Sequence, residues 1–103
     1  MTRDEVQAKW DALTPRERDA WVAEAVMGWQ WTYTSDIAAA WQVVEKMMEG
    51  EHNSFRLFRC DGFPESRRCA ASFKPSVESA LKLVEAPTAP EAICLAALMA
   101  VLA

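Results

Sequence analysis

The chain has 103 residues, of which 51% are apolar, 25% are charged and 3 are glycine. This length and globular composition predict a single domain over residues 1–103, with a short helical leader over residues 1–13. The 11 basic and 15 acidic residues give a net charge of −4, which disfavours a nucleic-acid-binding protein. Three cysteines without a pairing pattern indicate a reducing compartment. The longest apolar run, residues 92–103, is shorter than the ~20 residues of a membrane-spanning helix.

Capping signals mark the starts of the first two helices. Thr2 and Glu5 have the spacing of a capping box, in which each side chain bonds a free backbone N–H of the other. Thr14 and Glu17 repeat this spacing, with a proline between them at the first helical position. The second helix should therefore run from Pro15 to about Met27, before a glycine suited to a left-handed C-cap.

A further helix is predicted from Ser35, which would cap it, to the glycine at position 50. Its apolar residues recur at helical spacing and define one face. The residues of this predicted face are Ile37, Ala40, Trp41, Val44, Met47 and Met48. We expect Trp41, Ile37 and Val44 to pack with Phe55 and with the C-terminal helix, in the centre of the core.

Two segments alternate with period 2 and predict a β-hairpin, the first over residues 55–60 and the second from Arg67 to Lys74. Apolar residues fall on both faces of these strands, which predicts cover on both sides of the sheet. Pro75–Ala86 suits either a helix or a strand, and a loop followed by a third strand is preferred. Thr88 predicts the start of a last helix that is apolar on nearly all sides, and therefore the most buried one.

These elements predict an α+β fold of the helix–sheet–helix kind. After the short helical leader, it would contain two N-terminal helices, a small antiparallel sheet of two or three strands, and a buried C-terminal helix.

The sequence carries no pattern typical of a metal centre or a catalytic site. His52 is the sole histidine, and Cys60, Cys69 and Cys94 include no C-x-x-C pair. Walker, G-x-G-x-x-G and G-x-S-x-G motifs are absent, and paired carboxylates such as Glu49 and Glu51 flank a predicted helix end, where they should be solvated. We therefore predict a protein that is not an enzyme and that uses no metal or other cofactor.

Two groups of residues could bind a ligand. Paired guanidinium groups near the hairpin would suit a phosphate, although the acidic residues beside them could equally make this an ordinary charged surface. The aromatic connector before Ser35 could stack on a base, and a helix start there would favour an anion. The alternative for these aromatic residues is core packing or an oligomer contact. The predicted ligand-binding residues are Trp29, Trp31, Tyr33, Ser35, Arg56, Arg59, Arg67 and Arg68.

Three blocks of residues resemble the phage ABA sandwich domain family, which consists of small proteins encoded by phages and prophages. They are Ala25–Trp29, Tyr33–Met47 and Thr88–Leu98, in the order found in that family. The resemblance implies a helix–sheet–helix sandwich and a phage context. It carries over no catalytic residue, so the activity stays open.

Two functions remain as hypotheses in that context. The first is sequestration of a small, anionic, nucleotide-like signal of host defence in the cytoplasm of the infected bacterium. The alternative is a protein-interaction module that binds a host or phage protein through its tryptophans. For either function, the excess of aromatic residues predicts a homo-oligomer, either a dimer or a multiple of one.

Overall fold

The computed structural model describes residues 1–50, 54–59, 61–74 and 83–103. His52 and Cys60 lie outside these residues, as does most of the ambiguous segment, 75–82. The elements in chain order are α1 (Arg3–Ala12), α2 (Pro15–Val22), α3 (Ile37–Met48), β1 (Ser54–Arg59), β2 (Cys69–Lys74), β3 (Val84–Ala86) and α4 (Ala89–Leu102). The predicted α+β class is confirmed.

Helix starts follow the predicted caps at three of four positions. Thr2 and Thr14 form complete capping boxes, and the hydroxyl of Thr88 accepts the N–H of Glu91 at the start of α4. The prediction for Ser35 is wrong, because Asp36 caps α3 by accepting the N–H of Ala38 at 2.9 Å. Asp and Ser are about equally favourable at an N-cap, so the residue types alone do not decide between Ser35 and Asp36.

The helical segment that begins at Pro15 continues to Met27, as predicted, but its end is wound differently. Residues Ala23–Met27 form a π-helical turn, and the N–H of Gly28 donates to the carbonyl oxygen of Ala23 at 2.6 Å. Gly28 then leaves the helix with φ +89°, a left-handed conformation that is cheap only for a residue without Cβ. The turn therefore holds one residue more than an α-helical turn would.

The prediction for the buried face of α3 is wrong, because the buried face is rotated by part of a turn from the predicted one. Five residues of α3 are buried and form the face toward the core: Ala39, Ala40, Val43, Val44 and Met47. Trp41 and Ile37 are instead 48% and 54% exposed. Small residues allow α3 to lie close to α4, whereas an indole would hold the two helices apart. Trp41 lies at the border of this contact, with its ring edge-to-face on Phe55 at 6.0 Å between centroids.

The sheet has the order β1-β2-β3, and both pairings are antiparallel. β3 confirms the third strand that was preferred for the end of the ambiguous segment. β2 begins at Cys69 rather than at Arg67, since residues 65–67 form a 3-10 turn. On β1, Leu57 and Phe58 point to opposite faces and are 38% and 43% exposed, so the predicted cover on both faces does not extend to this strand.

Helix α4 is the centre of the core, as predicted. Its residues Ala92–Met99 are all buried. One side of α4 packs on β2 and β3, and α3, α1 and the π-helical turn pack on its remaining sides. Val6 and Trp10 of α1 belong to the same buried cluster, so the predicted leader is part of the packed core.

We predict different costs for two tryptophan substitutions. Trp10 is 3% exposed, and Arg18 lies over its ring at 4.5 Å, so Trp10→Ala should lower the free energy of unfolding by about 3–5 kcal/mol. Trp41→Ala should cost only about 1 kcal/mol, because it mainly removes one aromatic pair. Chemical denaturation at low protein concentration measures both, with the exposed Trp31→Ala as the control. Equal losses for Trp10→Ala and Trp41→Ala would contradict the packing of α3.

Candidate functional site

The connector between the π-helical turn and α3 is held by a buried carboxylate. Asp19 of α2 accepts hydrogen bonds from both the backbone N–H and the hydroxyl of Thr34, at 2.8 and 2.9 Å. Tyr33 next to it is fully buried, and its hydroxyl donates to the carbonyl oxygen of Trp29 at 2.6 Å. Burial, with the nearby Cys94 and Asp19, raises the pKa of Tyr33. Tyr33 is therefore a core residue and cannot stack on a ligand, which corrects its predicted role.

Trp29 and Trp31 are half exposed, at 51% and 56%. Trp29 lines an open groove of about 280 Å³, which we call the tryptophan groove. The groove is lined by Met27, Trp29, Gln42, Glu45, Lys46 and Glu49. Two carboxylates face one ammonium group there, so the electrostatics oppose an anionic ligand. The tryptophan groove therefore does not suit the phosphate predicted for this part of the chain.

Ser35 lines a different groove, of about 530 Å³, which lies between the starts of α2, α3 and α4. Its cationic residue, Arg18, is already engaged. The Nε of Arg18 donates to the carbonyl oxygen of Trp10 at 2.8 Å, and Nη1 lies 3.9 Å from a carboxylate oxygen of Glu91. Ser35 thus lies in a groove lined by neither Trp29 nor the predicted arginines.

The four predicted arginines separate into two that share a groove and two that do not. Arg67 lies over the ring of Phe63 at 5.7 Å and its Nε is 3.7 Å from a carboxylate oxygen of Glu85. Arg56 is opposite Ser72 in the strand register and points to the other face of β1 from Arg59. Arg59 and Arg68, in contrast, line one groove of about 500 Å³.

This third groove, which we call the arginine groove, lies between β1, the turn before β2 and the start of α4. Its lining residues are Leu57, Phe58, Arg59, Glu65, Arg68, Cys69, Pro87, Thr88 and Ala89. Two guanidinium groups face one carboxylate, so the lining is formally positive although the whole chain is acidic. The groove therefore offers the local positive charge that the sequence predicted near the hairpin.

Arg68 is the residue of the arginine groove with unmet hydrogen-bonding capacity. Its Nε is buried and has no hydrogen-bond partner in the described part of the chain. Arg59 is bound to Asp61 at 3.0 Å, but both side chains are more than two-thirds exposed, at 71% and 80%. Exposed ion pairs contribute little free energy, so Arg59 can exchange Asp61 for another anion at small cost.

The start of α4 adds to the positive potential of the arginine groove more through its dipole than through free donors. The N–H of Glu91 is bound by Thr88, and Pro90 has no N–H. The aligned peptide dipoles of this 14-residue helix still place their positive end at Thr88 and Ala89. Phe58, which is 43% exposed, supplies an aromatic face in the same groove.

The described cysteines do not form an activated nucleophile or a metal site. Cys69 and Cys94 are both buried free thiols, and burial raises the pKa of Cys94 far above its usual range. The thiolate form that attacks substrates is thereby disfavoured at Cys94. Across residues 1–50, 54–59, 61–74 and 83–103, His, Cys, Asp and Glu side chains form no group of three that could hold a metal ion.

The folded arrangement agrees with a known family. The chain belongs to the phage ABA sandwich domain family, whose sequence profile matches residues 20–98. It is similar to a phage protein from Bacillus cereus ATCC 14579 of known crystal structure, with 27% sequence identity and a TM-score of 0.70. That alignment covers 87% of this chain and 94% of the other. No curated protein matches the sequence. The family predicted from the three residue blocks is confirmed.

In the part of the chain that the structure describes, none of the helices combines the length and the apolar character needed to cross a membrane.

We predict that the connector depends on Asp19. Asp19→Ala leaves the buried N–H and hydroxyl of Thr34 without an acceptor, and should lower the free energy of unfolding by about 1.5–3 kcal/mol. Asp19→Asn retains one acceptor oxygen and should lose less. Thermal and urea unfolding measure the losses, and Asp11→Ala, which removes an exposed carboxylate, should have almost no effect. If Asp19→Ala unfolds at the same temperature and urea concentration as the wild type, Asp19 does not hold the connector.

Proposed function

We propose that this protein binds a small, anionic, base-containing molecule in the arginine groove and does not turn it over. The observation that carries the proposal is Arg68, whose side chain lines this positively charged groove and whose buried Nε has no hydrogen-bond partner in the described residues. A buried donor that lacks an acceptor costs free energy, and a phosphate oxygen would remove that cost. A groove of about 500 Å³ also falls within the range of small-molecule sites.

Different residues of the arginine groove would contact different parts of such a molecule. Arg59 and Arg68 would form charge-assisted hydrogen bonds with a phosphate, while the start of α4 adds its dipole. Phe58 and Leu57 would contact the base, and stacking on an aromatic ring contributes ~1–3 kcal/mol per base. Phe58 thereby takes the stacking role that the sequence assigned to Trp29 and Trp31.

The phage family context supports a biological use for binding without turnover. A phage protein that holds a nucleotide-derived signal would lower the free concentration of that signal in the cytoplasm of the infected bacterium. We propose this sequestration of a host-defence signal as the function of the protein. This role needs neither a metal nor another cofactor, because binding without turnover involves no chemical reaction.

A second candidate function is favoured by the exposure of Trp29 and Trp31. Half-exposed tryptophans beside a mixed-charge groove are typical anchors of protein–protein interfaces. The corresponding hypothesis is a host or phage protein partner that docks on the tryptophan groove. Trp29→Ala would weaken that partner's binding and leave the arginine groove unchanged.

Calorimetry against cyclic dinucleotides, cyclic trinucleotides and cyclic ADP-ribose isomers tests the proposed ligand class. We expect one of these classes to bind, and Arg68→Ala to weaken its binding by about 1.5–3 kcal/mol, which is roughly ten- to a hundredfold. Arg59→Ala should weaken binding less, because its guanidinium group is exposed. The control is Arg16→Ala, which removes an exposed arginine from α2, far from the groove in sequence.

Chromatography of the compound released after denaturation tests the absence of turnover. The ligand should be recovered intact. Recovery of a cleaved product would make the protein an enzyme, and no binding across the whole panel would favour the protein-interaction hypothesis instead.

A further inference from the structure

Strand β1 is the outer strand of the sheet and is exposed on both faces. Residues 56–59 are all exposed, including Leu57 and Phe58 on opposite faces. The register with β2 runs without a bulge from Ser54 to Arg59, and β1 contains no proline. Native proteins often blunt an edge strand with a bulge, a proline or charged side chains, because unpaired N–H and C=O groups invite another strand, and of these features β1 has only Arg56 and Arg59. In the part of the chain that the structure describes, no strand covers this edge.

The apolar surface of β1 continues onto α3. Trp41 packs edge-to-face on Phe55, and Ile37, one helical turn away, is 54% exposed. We call this surface the β1 seam, and it consists of Ile37, Trp41, Phe55 and Leu57, while Phe58 is exposed on the opposite face of the same strand. A contiguous apolar surface beside an open strand edge indicates an interface rather than scattered exposed side chains.

We propose that the β1 seam binds a second copy of this chain. The β1 strands of the two copies pair antiparallel about a two-fold axis and form one continuous six-stranded sheet. The proposal does not rest on the proposed function, because it is argued from the strand edge, although Leu57, Phe58 and Arg59 of that strand also line the arginine groove.

The alternation of side chains restricts the register of this pairing. The two-fold axis must pass between a residue and the same residue of the partner, and we name each possible axis by that residue. Only such a register places the core-facing sides of both copies on the same side of the sheet. An axis through Arg56 would place two like charges directly opposite each other, which is destabilising. An axis through Leu57 places leucine against leucine and gives the longest overlap without that repulsion.

The side chains flanking Leu57 are complementary in this register. Arg56 lies opposite the partner's Phe58, and Phe55 lies opposite the partner's Arg59. Each pair brings a guanidinium group to an aromatic ring, an attractive arrangement across strands. The two-fold axis repeats each of the two pairs, so the interface contains four such pairs.

The exposed side chains beside β1 supply a modest area for this pairing. Trp and Phe side chains cover about 150–250 Å² each, so the half-exposed Trp41 and Phe58 offer on the order of 100 Å² each. Ile37 and Leu57 add to this area on both copies. Because stable pairs bury ~1,200–2,000 Å², this smaller interface should form a dimer at high protein concentration and dissociate on dilution.

The pairing also places the interface beside the arginine groove. Leu57, Phe58 and Arg59 line that groove and belong to the strand that pairs. The partner's strand would therefore end at the groove, and each dimer would carry two grooves along its seam.

Sedimentation equilibrium with charged variants tests the interface. We expect the wild type to be a dimer at high micromolar concentration, and Leu57→Lys and Leu57→Glu each to be monomeric, because each places like charges opposite each other. An equimolar mixture of the two variants should recover the dimer. Leu83→Lys is the matched control, since Leu83 is 37% exposed beside β3, and it should stay dimeric.

A cysteine variant keeps the proposal testable if the charged variants fail to fold. Facing Cα atoms in an antiparallel pair are ~4.5–5.5 Å apart, which a disulfide can span. Leu57→Cys should therefore form a covalent dimer under mild oxidation, and Leu83→Cys should not. A monomeric wild type, equal behaviour of the Leu57 and Leu83 variants, or a mixture that stays monomeric would overturn the proposal. A wild type that dimerises but binds none of the nucleotides would count against the proposed function alone.

Discussion

The fold depends on the need to enclose one helix. Helix α4 carries Glu91 as its single charged residue, and its middle eight residues are buried on every side. A helix without a polar face can be stable only if other elements cover all of it, because each exposed apolar side chain would forfeit the free energy of burial. The sheet, α3, α1 and the π-helical turn provide that cover. The arrangement of the other elements is therefore largely the geometry of surrounding α4.

Local signals explain why helix boundaries were predictable while helix faces were not. A cap is decided by a few neighbouring residues, so Thr2, Thr14 and Thr88 were identifiable from spacing alone. The buried face of α3 is decided by its neighbour, because two apolar stripes compete on the same helix. The stripe with Ala39 and Val43 is buried and the stripe with Trp41 is not, because small side chains fit the close contact with α4. Sequence periodicity carries no information about how near that neighbour lies.

The candidate site was predictable only in part, for a similar reason. Arg59 and Arg68 are nine positions apart, and the antiparallel register of β1 and β2 brings them to one end of the sheet. Strand alternation alone would have separated Arg56 from Arg59. The burial of Tyr33 could not be foreseen, because it depends on the Asp19–Thr34 hydrogen bonds across 15 positions. Proximity along the chain had suggested one composite site, whereas the fold distributes those residues among separate grooves.

The acidic composition and the positive groove are compatible because charge acts over short distances in salt. At physiological ionic strength the screening length is ~8 Å, so a ligand in the groove would respond to Arg59, Arg68, Glu65 and Asp61, which pairs with Arg59, more than to the total charge. The overall negative charge instead disfavours long polyanions, which contact a wide surface. Under the proposed function, a small anion and a nucleic acid would be discriminated by size rather than by chemistry.

The π-helical turn gives one short segment an unusual tolerance of length. Because it holds one residue more than an α-helical turn, loss of a single residue between Ala23 and Met27 would leave a regular α-helical turn that still directs Gly28 nearly the same way. A further inserted residue would instead rotate the exit of the helix by about 100° and move Thr34 away from Asp19.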